Sequence, residues 1–567
     1  MTLEQKMAKL IKNTRIKAIL VIAAAVFVLT VPFINQPFNQ DDRDFVEFAR
    51  ASATDITKLK LENYTYGGKF FRNFRNPHAP LLTTYLGIPL RMGAAESEAL
   101  FHGMYLIFPL IGAFSMYYLA RRFTGHPLFA TLLLLFTPGF LVLSHTLMDN
   151  LPGLSLVLAT VSVFIAGVDR DDGRLLAASC ILMILAAATA YQTLSLVPAL
   201  IFYASATRPR SLRRYLPFAF LLIAGAIWLL SNYRLYGRLP ALSYKIRGQD
   251  YQWAGFNDDY SLQLRPILTT LAGTILFPLS AMIIILRKKI DLLVAFVLWP
   301  FVIVWTLLSL SDSEETDLLR LAQVALLTFA GIMIVYKLFA QGITAVIQAG
   351  GKITNNRKVS SDSLFLLSWF VSASVVYMVV LVPYVSARHL LLLFPPVILV
   401  IVREFDQLWI GRDTLRTVFI AATLFFTLGG GLAAAIADYR SASVYPVIAE
   451  QLANQYPQDP ESGNTVYVRG EFGFRYYLEQ QGYVSLNDRT EIKTGDLVVY
   501  STLSSPSNPW PEGSYNELSR TEPGDGFPFR VWNWWAGAGF YTNRMGSLPI
   551  VYSREIEDRI IVYQFHE

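Results

Sequence analysis

Apolar runs of about 18 residues or more recur along most of this chain, with few charges inside them. A helix rises 1.5 Å per residue, so a run of roughly 20 residues crosses the ~30 Å hydrocarbon of a bilayer, and repeated runs leave a bundle of membrane-spanning helices as the fold to expect. Composition supports this. Of 567 residues 53% are hydrophobic and only 16% charged, against about 25% charged in an average soluble domain. The net charge of +6 sits largely in short segments between the runs, the pattern of cytoplasmic loops. No nucleic-acid-binding motif accompanies it. The single cysteine, Cys180, lies inside an apolar run and excludes an intrachain disulfide.

Hydropathy places spans near 18–34, 99–119, 128–143, 150–168, 216–231, 266–286, 292–310, 319–339, 363–383, 389–402 and 415–437, with two short helices or a re-entrant hairpin over 175–206. That makes about thirteen. Lys6, Lys9, Lys12, Arg15 and Lys17 precede the first run, and no small-residue cleavage site follows it, so the N-terminus is expected in the cytoplasm. Arg121, Arg122, Arg208, Arg210, Arg213, Arg214, Arg287, Lys288, Lys289, the segment Lys352 to Lys358, Arg403 and Arg412 fall on the same side. Two stretches depart from the helical pattern. Residues 35–98 form a long, charged loop after the first span. Residues 438–567 bring Pro, Gly and short alternating segments at Thr465–Val468, Asp496–Tyr500 and Ile560–Tyr563, with a helix expected from Glu471 to Gln481. The expected division is therefore a membrane domain, 1–437, and a small extracytoplasmic α/β domain, 438–567.

Candidate chemistry collects where the spans meet the outer side. Asp41 and Asp42 are adjacent carboxylates that repel, and partial burial raises the pKa of at least one, which suits a general base or a cation site. An acidic helix start is the simpler alternative. Lys69, Arg72, Arg75 and His78 lie where the positive-inside rule disfavours cations; they suit phosphate oxygens, or headgroup binding by an interfacial helix carrying Phe70, Phe71 and Phe74. Asp149 precedes the fourth span, where it or Asn150 could cap a helix whose first turn holds Pro152. Arg388 and His389 put a cation at a helix start, which the helix dipole opposes and a bound anion would explain; snorkelling is the alternative.

Asp41-Asp42-x-x-Phe45 resembles the DExxY-type signature after the first helix of GT-C fold glycosyltransferases, nearest in pattern to the protein O-mannosyltransferases and the lipid A aminoarabinose transferase. His78-Ala79-Pro80-Leu81 resembles their HPPL segment, Asp149 a further acidic position, and Arg388 with its Leu/Pro-rich sequel their late R-x-x-L-P element. The resemblance covers about residues 15–440. It implies a polyprenyl-phosphate sugar donor, an acceptor hydroxyl on a lipid, glycan or protein, and inverting transfer at the outer face of the plasma (inner) membrane. It implies Asp41 as base, with Arg388 and one or more of Lys69, Arg72 and Arg75 on the phosphate. Asp42 and Asp149 would orient the acceptor or hold, with Asp41, a divalent cation such as Mg or Mn. Many members carry a Thr-Lys pair where this chain has Tyr191-Gln192, so those two are expected in the donor or acceptor pocket. Trp532-Asn533-Trp534-Trp535-Ala536-Gly537 superficially resembles the WWDYG motif of oligosaccharyltransferases but lacks its Asp, and reads as an aromatic core or membrane-facing patch. The rival class is a transporter or lipid-linked-sugar flippase, which would place charges in mid-membrane and show inverted repeats. A scaffold protein is the third.

Overall fold

A computed structural model describes residues 3–55, 60–76, 78–207, 211–237, 263–275, 278–308, 318–350, 357–378, 384–406, 413–458, 464–504, 513–524 and 526–566. Of the basic markers above, Arg208, Arg210, Lys352 and Arg412 lie outside these residues, and so does the side chain of Arg75. Among the described residues seven helices are long and apolar enough to cross a membrane: Thr14–Phe33, Glu98–Phe123, Asn150–Arg170, Leu212–Leu235, Lys289–Leu308, Leu318–Gln348 and Asp413–Gln455. Three shorter apolar helices accompany them, Pro127–Phe136, Gly173–Thr189 and Ser361–Val376. The chain is thus a polytopic helical membrane protein, but the expected thirteen spans are not matched one for one. Proline is one reason. Pro138 starts a new helix within the expected third span, and Pro278 within the eighth, because a ring nitrogen cannot donate the helical hydrogen bond.

Asn150–Arg170 is the central helix, almost wholly packed. Peripheral helices keep large apolar side chains on their outer faces: Phe296 and Phe301 on Lys289–Leu308, Leu222 on Leu216–Tyr236, Phe425 on Asp413–Gln455. Stripes of that size suit hydrocarbon. Residues 175–206 do form two helices, Gly173–Thr189 and Val197–Thr207, joined at Tyr191–Leu196. The end of the bundle away from this tip gathers ion pairs between helices, Arg122–Asp362 at 2.7 Å and Lys337–Asp291 at 2.8 Å.

The loop after the first span folds into a helix, Asp42–Thr54, an antiparallel hairpin of β1 (Lys60–Tyr66) and β2 (Lys69–Arg75), and a helix, Pro80–Arg91. Phe70, Phe71 and Phe74 therefore lie on a strand, not on the interfacial helix considered above. Phe71 and Phe74, three positions apart, share one face only because the strand's alternation is broken between them at Asn73, φ +53°: both join Phe48 and Tyr64 in a small apolar cluster against the helix, while Phe70 takes the guanidinium of Arg489 over its ring.

The last long helix runs unbroken from Asp413 to Gln455 and carries the chain into the strand-rich region. There β3 (Val466–Arg469), β4 (Val484–Ser485), β5 (Leu497–Ser501), β6 (Ser514–Thr521) and β11 (Ile560–His566) form one sheet in the order β4-β3-β5-β11-β6. β3 is parallel to β4 and β5; β11 is antiparallel to β5 and β6. Helix Phe472–Gln480 crosses between β3 and β4. Short pairs of β7 (Phe529–Arg530) with β10 (Val551–Tyr552), and β8 (Trp532–Asn533) with β9 (Ala538–Gly539), lie between β6 and β11.

Candidate active site

Asp41 stands at the N-terminus of helix Asp42–Thr54, and the turn before it is built from its neighbours. The Asn39 N–H donates to Asp42 Oδ2 at 3.0 Å, the Asp42 N–H returns to the Asn39 carbonyl at 2.9 Å, and the Gln40 N–H donates to Asn39 Oδ1 at 2.9 Å. Gln40 adopts φ +45°, a left-handed conformation that costs a side-chain-bearing residue about 1 kcal/mol. The backbone of Asp41 caps the helix, its carbonyl accepting from the Asp44 N–H at 2.9 Å. Its side chain makes no cap; it pairs with Arg388 Nη1, 347 positions away.

Arg388 comes from the short helix Ala387–Leu390. Its Nη2 donates to the Tyr384 hydroxyl at 2.8 Å, and Nη1 also touches Met148 Sδ at 3.2 Å. The buried Nε–H has no acceptor among the described residues. Met148 precedes Asp149, whose Oδ2 lies 3.1 Å from His78 Nδ1. Asp149 occupies the N-cap position of helix Asn150–Arg170, but its carboxylate goes to His78 and not to the helix. The His78 ring packs on Phe45 at 4.8 Å between centroids. Asp41, Asp149, His78 and Arg388 thus meet in one cluster, on the side of the bundle that bears the sheet.

Electrostatics sort the acids. Burial pushes the Asp41 carboxyl up, but the charge and hydrogen bond of Arg388, with help from His78, hold it below the ordinary range. Burial pushes Asp42 well up, against two backbone hydrogen bonds, with Asp438 and Asp41 adding to the rise. Asp42 is fully buried and both its oxygens are spent, Oδ2 on Asn39 and Oδ1 on the Leu147 N–H at 2.7 Å. Burial lowers the affinity of His78 for a proton, but Asp149 outweighs it and the ring is held above its usual pKa.

Asp41, Asp42 and Asp149, the possible cation ligands, each have a different partner. One is paired with Arg388, one is closed off by backbone N–H groups and one is paired with His78; among the described residues no three His, Cys, Asp or Glu side chains are set to hold an ion.

The remaining expected residues divide. His389 lies beside Tyr377 and Tyr384, each at 5.5 Å between centroids, and shares a narrow slot with Gln192 and Tyr377. Tyr191, half-buried, begins the turn that delivers Gln192. Lys69 is exposed and pairs across the hairpin with Tyr66, a phenol whose proton affinity is raised first by burial and then by the nearby Asp41. Arg72 is exposed opposite Asn63. Among the described residues no hydrogen bond or ion pair joins Lys69 or Arg72 to the acids. Arg75 lies in β2, its side chain outside the described residues.

Sequence reasoning passed over Tyr384, Tyr66 and Asp438. Tyr384 stands four residues before Arg388, but nothing in a sequence says that its hydroxyl turns back. Asp438 bridges Gln36 Nε2 and the Tyr541 hydroxyl, both at 2.9 Å. An acid near the end of an apolar run was the available signal.

Residues 80–233 match the family described as dolichyl-phosphate-mannose-protein mannosyltransferase. This stretch starts inside the His78-Ala79-Pro80-Leu81 segment and includes Asp149 and Tyr191-Gln192, and over it the resemblance to GT-C glycosyltransferases holds. No curated protein matches the chain. Among solved structures, ArnT from Cupriavidus metallidurans bound to undecaprenyl phosphate is 16% identical, with 86% of this chain and 93% of that one covered, at a TM-score of 0.41. The oligosaccharyltransferase AglB from Archaeoglobus fulgidus, in complex with an inhibitory peptide and a dolichol-phosphate, is 13% identical over 86% of this chain and 69% of its own, at a TM-score of 0.43.

Proposed function

We propose that this chain is an inverting glycosyltransferase that moves a sugar from a polyprenyl-phosphate donor to an acceptor hydroxyl, at the face of the plasma (inner) membrane opposite the cytoplasm. One observation carries the reading: an anion from the start of the chain and a cation from its last third meet beside a His–Asp pair, at the end of a membrane bundle. A lipid-linked sugar presents its anomeric carbon and phosphate at that depth. A transporter has no use for this convergence at one end of the bundle.

In this mechanism Asp41 takes the proton from the acceptor hydroxyl. The oxygen attacks the anomeric carbon, the bond from that carbon to the phosphate oxygen breaks, and lipid phosphate leaves with the electron pair, inverting the centre. Arg388 receives the developing charge through its unpaired Nε–H and an Nη drawn away from Asp41. That exchange also prepares the base, since a carboxylate released from a guanidinium binds protons more readily. Of the three hairpin cations, Lys69 is the one we assign to the phosphate, because its cross-strand partner Tyr66 lies near Asp41. His78 and Asp149 orient the acceptor, and His389 with Gln192 lines the donor slot.

The test uses membranes carrying the full-length protein and a labelled polyprenyl-phosphate sugar. Asp41→Asn should lower transfer by about 10²-fold or more, the loss of one general base. Unchanged transfer removes Asp41 from this role. Movement of intact labelled donor across the bilayer without transfer would favour a flippase instead.

A further inference from the structure

We propose that residues 540–543 of the strand-rich region are part of the active site, with Asn543 as the positioning residue that holds the Arg388 loop in place. The Asn543 side chain and backbone clamp that loop as a strand partner would. The Val385 N–H donates to Asn543 Oδ1 at 2.8 Å, and the Asn543 N–H donates to the Val385 carbonyl at 2.9 Å. Two residues on, the Ala387 N–H donates to the Phe540 carbonyl at 2.8 Å, and Ser386 Oγ approaches the same carbonyl at 3.3 Å. Arg388 follows directly, so its position is fixed from outside its own helix.

The clamp is itself anchored. Asn543 Nδ2 donates to Gln263 Oε1 at 3.0 Å, and the Tyr541 hydroxyl donates to Asp438, which also receives Gln36 Nε2. Gln36 belongs to the segment leading to Asp41. One short loop therefore ties the cation's segment to the base's segment. Its shape depends on glycine: a Cβ on Gly546, at φ +151°, would stand 1.9 Å from the Gly537 carbonyl oxygen. Phe540 and Tyr541 are buried with the membrane helices in the main apolar core and not in the core of the sheet.

The inference rests on the reading of Arg388 as the donor-phosphate contact. It predicts that weakening the clamp weakens use of the donor and not of the acceptor. Full-length Asn543→Leu, Asn543→Asp, Arg388→Ala and the Asn543→Leu/Arg388→Ala double variant are compared in proteoliposomes, with donor and acceptor varied separately. Asn543→Leu should lower kcat/KM for donor roughly tenfold, the loss of a partly buried hydrogen-bonded pair, with acceptor KM unchanged. Asn543→Asp, which keeps Oδ1, should recover most of it. In the Arg388→Ala background Asn543→Leu should cost nothing further. If Asn543→Leu does not fold, Asn543→Ser, too short to reach Val385, takes its place. A clamp variant that folds and uses donor normally overturns the inference while Arg388→Ala remains impaired. Normal donor use by Arg388→Ala overturns the underlying reading instead.

Discussion

The Asp41–Arg388 contact makes two opposite demands. In the resting site Arg388 keeps Asp41 ionised, which serves readiness but makes it a weak base. Since Arg388 lowers the Asp41 pKa, its removal raises that pKa. The acid limb of kcat/KM in Arg388→Gln should therefore move to higher pH, on top of the loss in rate, as pH–rate profiles of both proteins would read. Asp42 answers to a different measurement. Its two oxygens satisfy the Asn39 and Leu147 N–H groups, so Asp42→Leu leaves two buried donors unpaired and should cost about 2–4 kcal/mol, seen as a lower melting temperature in detergent. Asp42→Asn keeps one acceptor and should lose less. The adjacent acids thus divide the work: one is turned to the cluster, the other holds the turn.

Two elements carry the loop that presents the acids. Helix Phe472–Gln480 grips it through charge: Glu479 takes Arg475 Nε at 2.8 Å and Arg43 Nη2 at 3.1 Å, while Glu471 takes the Gly67 N–H at the hairpin tip at 2.9 Å. Burial pushes the Glu479 carboxyl up, but Arg475 and Arg43 overcome it and hold it at about 2. A depressed carboxylate stabilises the fold above its unfolded pKa, near 4.5, and ceases to as pH falls from there through about 2. Melting temperature should fall across that window, and Glu479→Gln should fall less steeply from a lower start. The glycine-dependent loop is the second element. Gly546→Ala forces its Cβ into the Gly537 carbonyl and should abolish transfer together with the clamp on residues 385–387.

At the scale of the molecule, the strand-rich region is built into the bundle. Phe540, Tyr541, Met545 and Leu548 lie in the same buried core as Leu143, Leu271 and Phe394, and the Ser547 carbonyl accepts from Thr269 Oγ1 at 2.6 Å. A chain cut after residue 437 would expose that apolar surface and lose the Arg388 clamp. It should fail to give a monodisperse peak by size exclusion in detergent, where the full-length protein does. A result of this kind bears on the proposed division into 1–437 and 438–567. The division follows the change in composition, whereas the core does not.

The membrane class, most of the spans, three strands of the five-stranded sheet and the candidate residues Asp41, Asp149 and Arg388 were legible in the amino-acid order, because apolar length, period-2 alternation and misplaced charge are local signals. The hairpin was not, since its aromatics suit an interfacial helix as well as a strand and only packing on Phe48 chooses. The division between Asp41 and Asp42 was not either: identical carboxylates on neighbouring residues differ only in which backbone N–H groups and guanidinium reach them. Only the tertiary structure set residues 540–543 against the Arg388 loop and Asp438, because the hydrogen bonds of Asn543 and Tyr541 join segments more than 100 residues apart, and no local pattern encodes a partner at that distance.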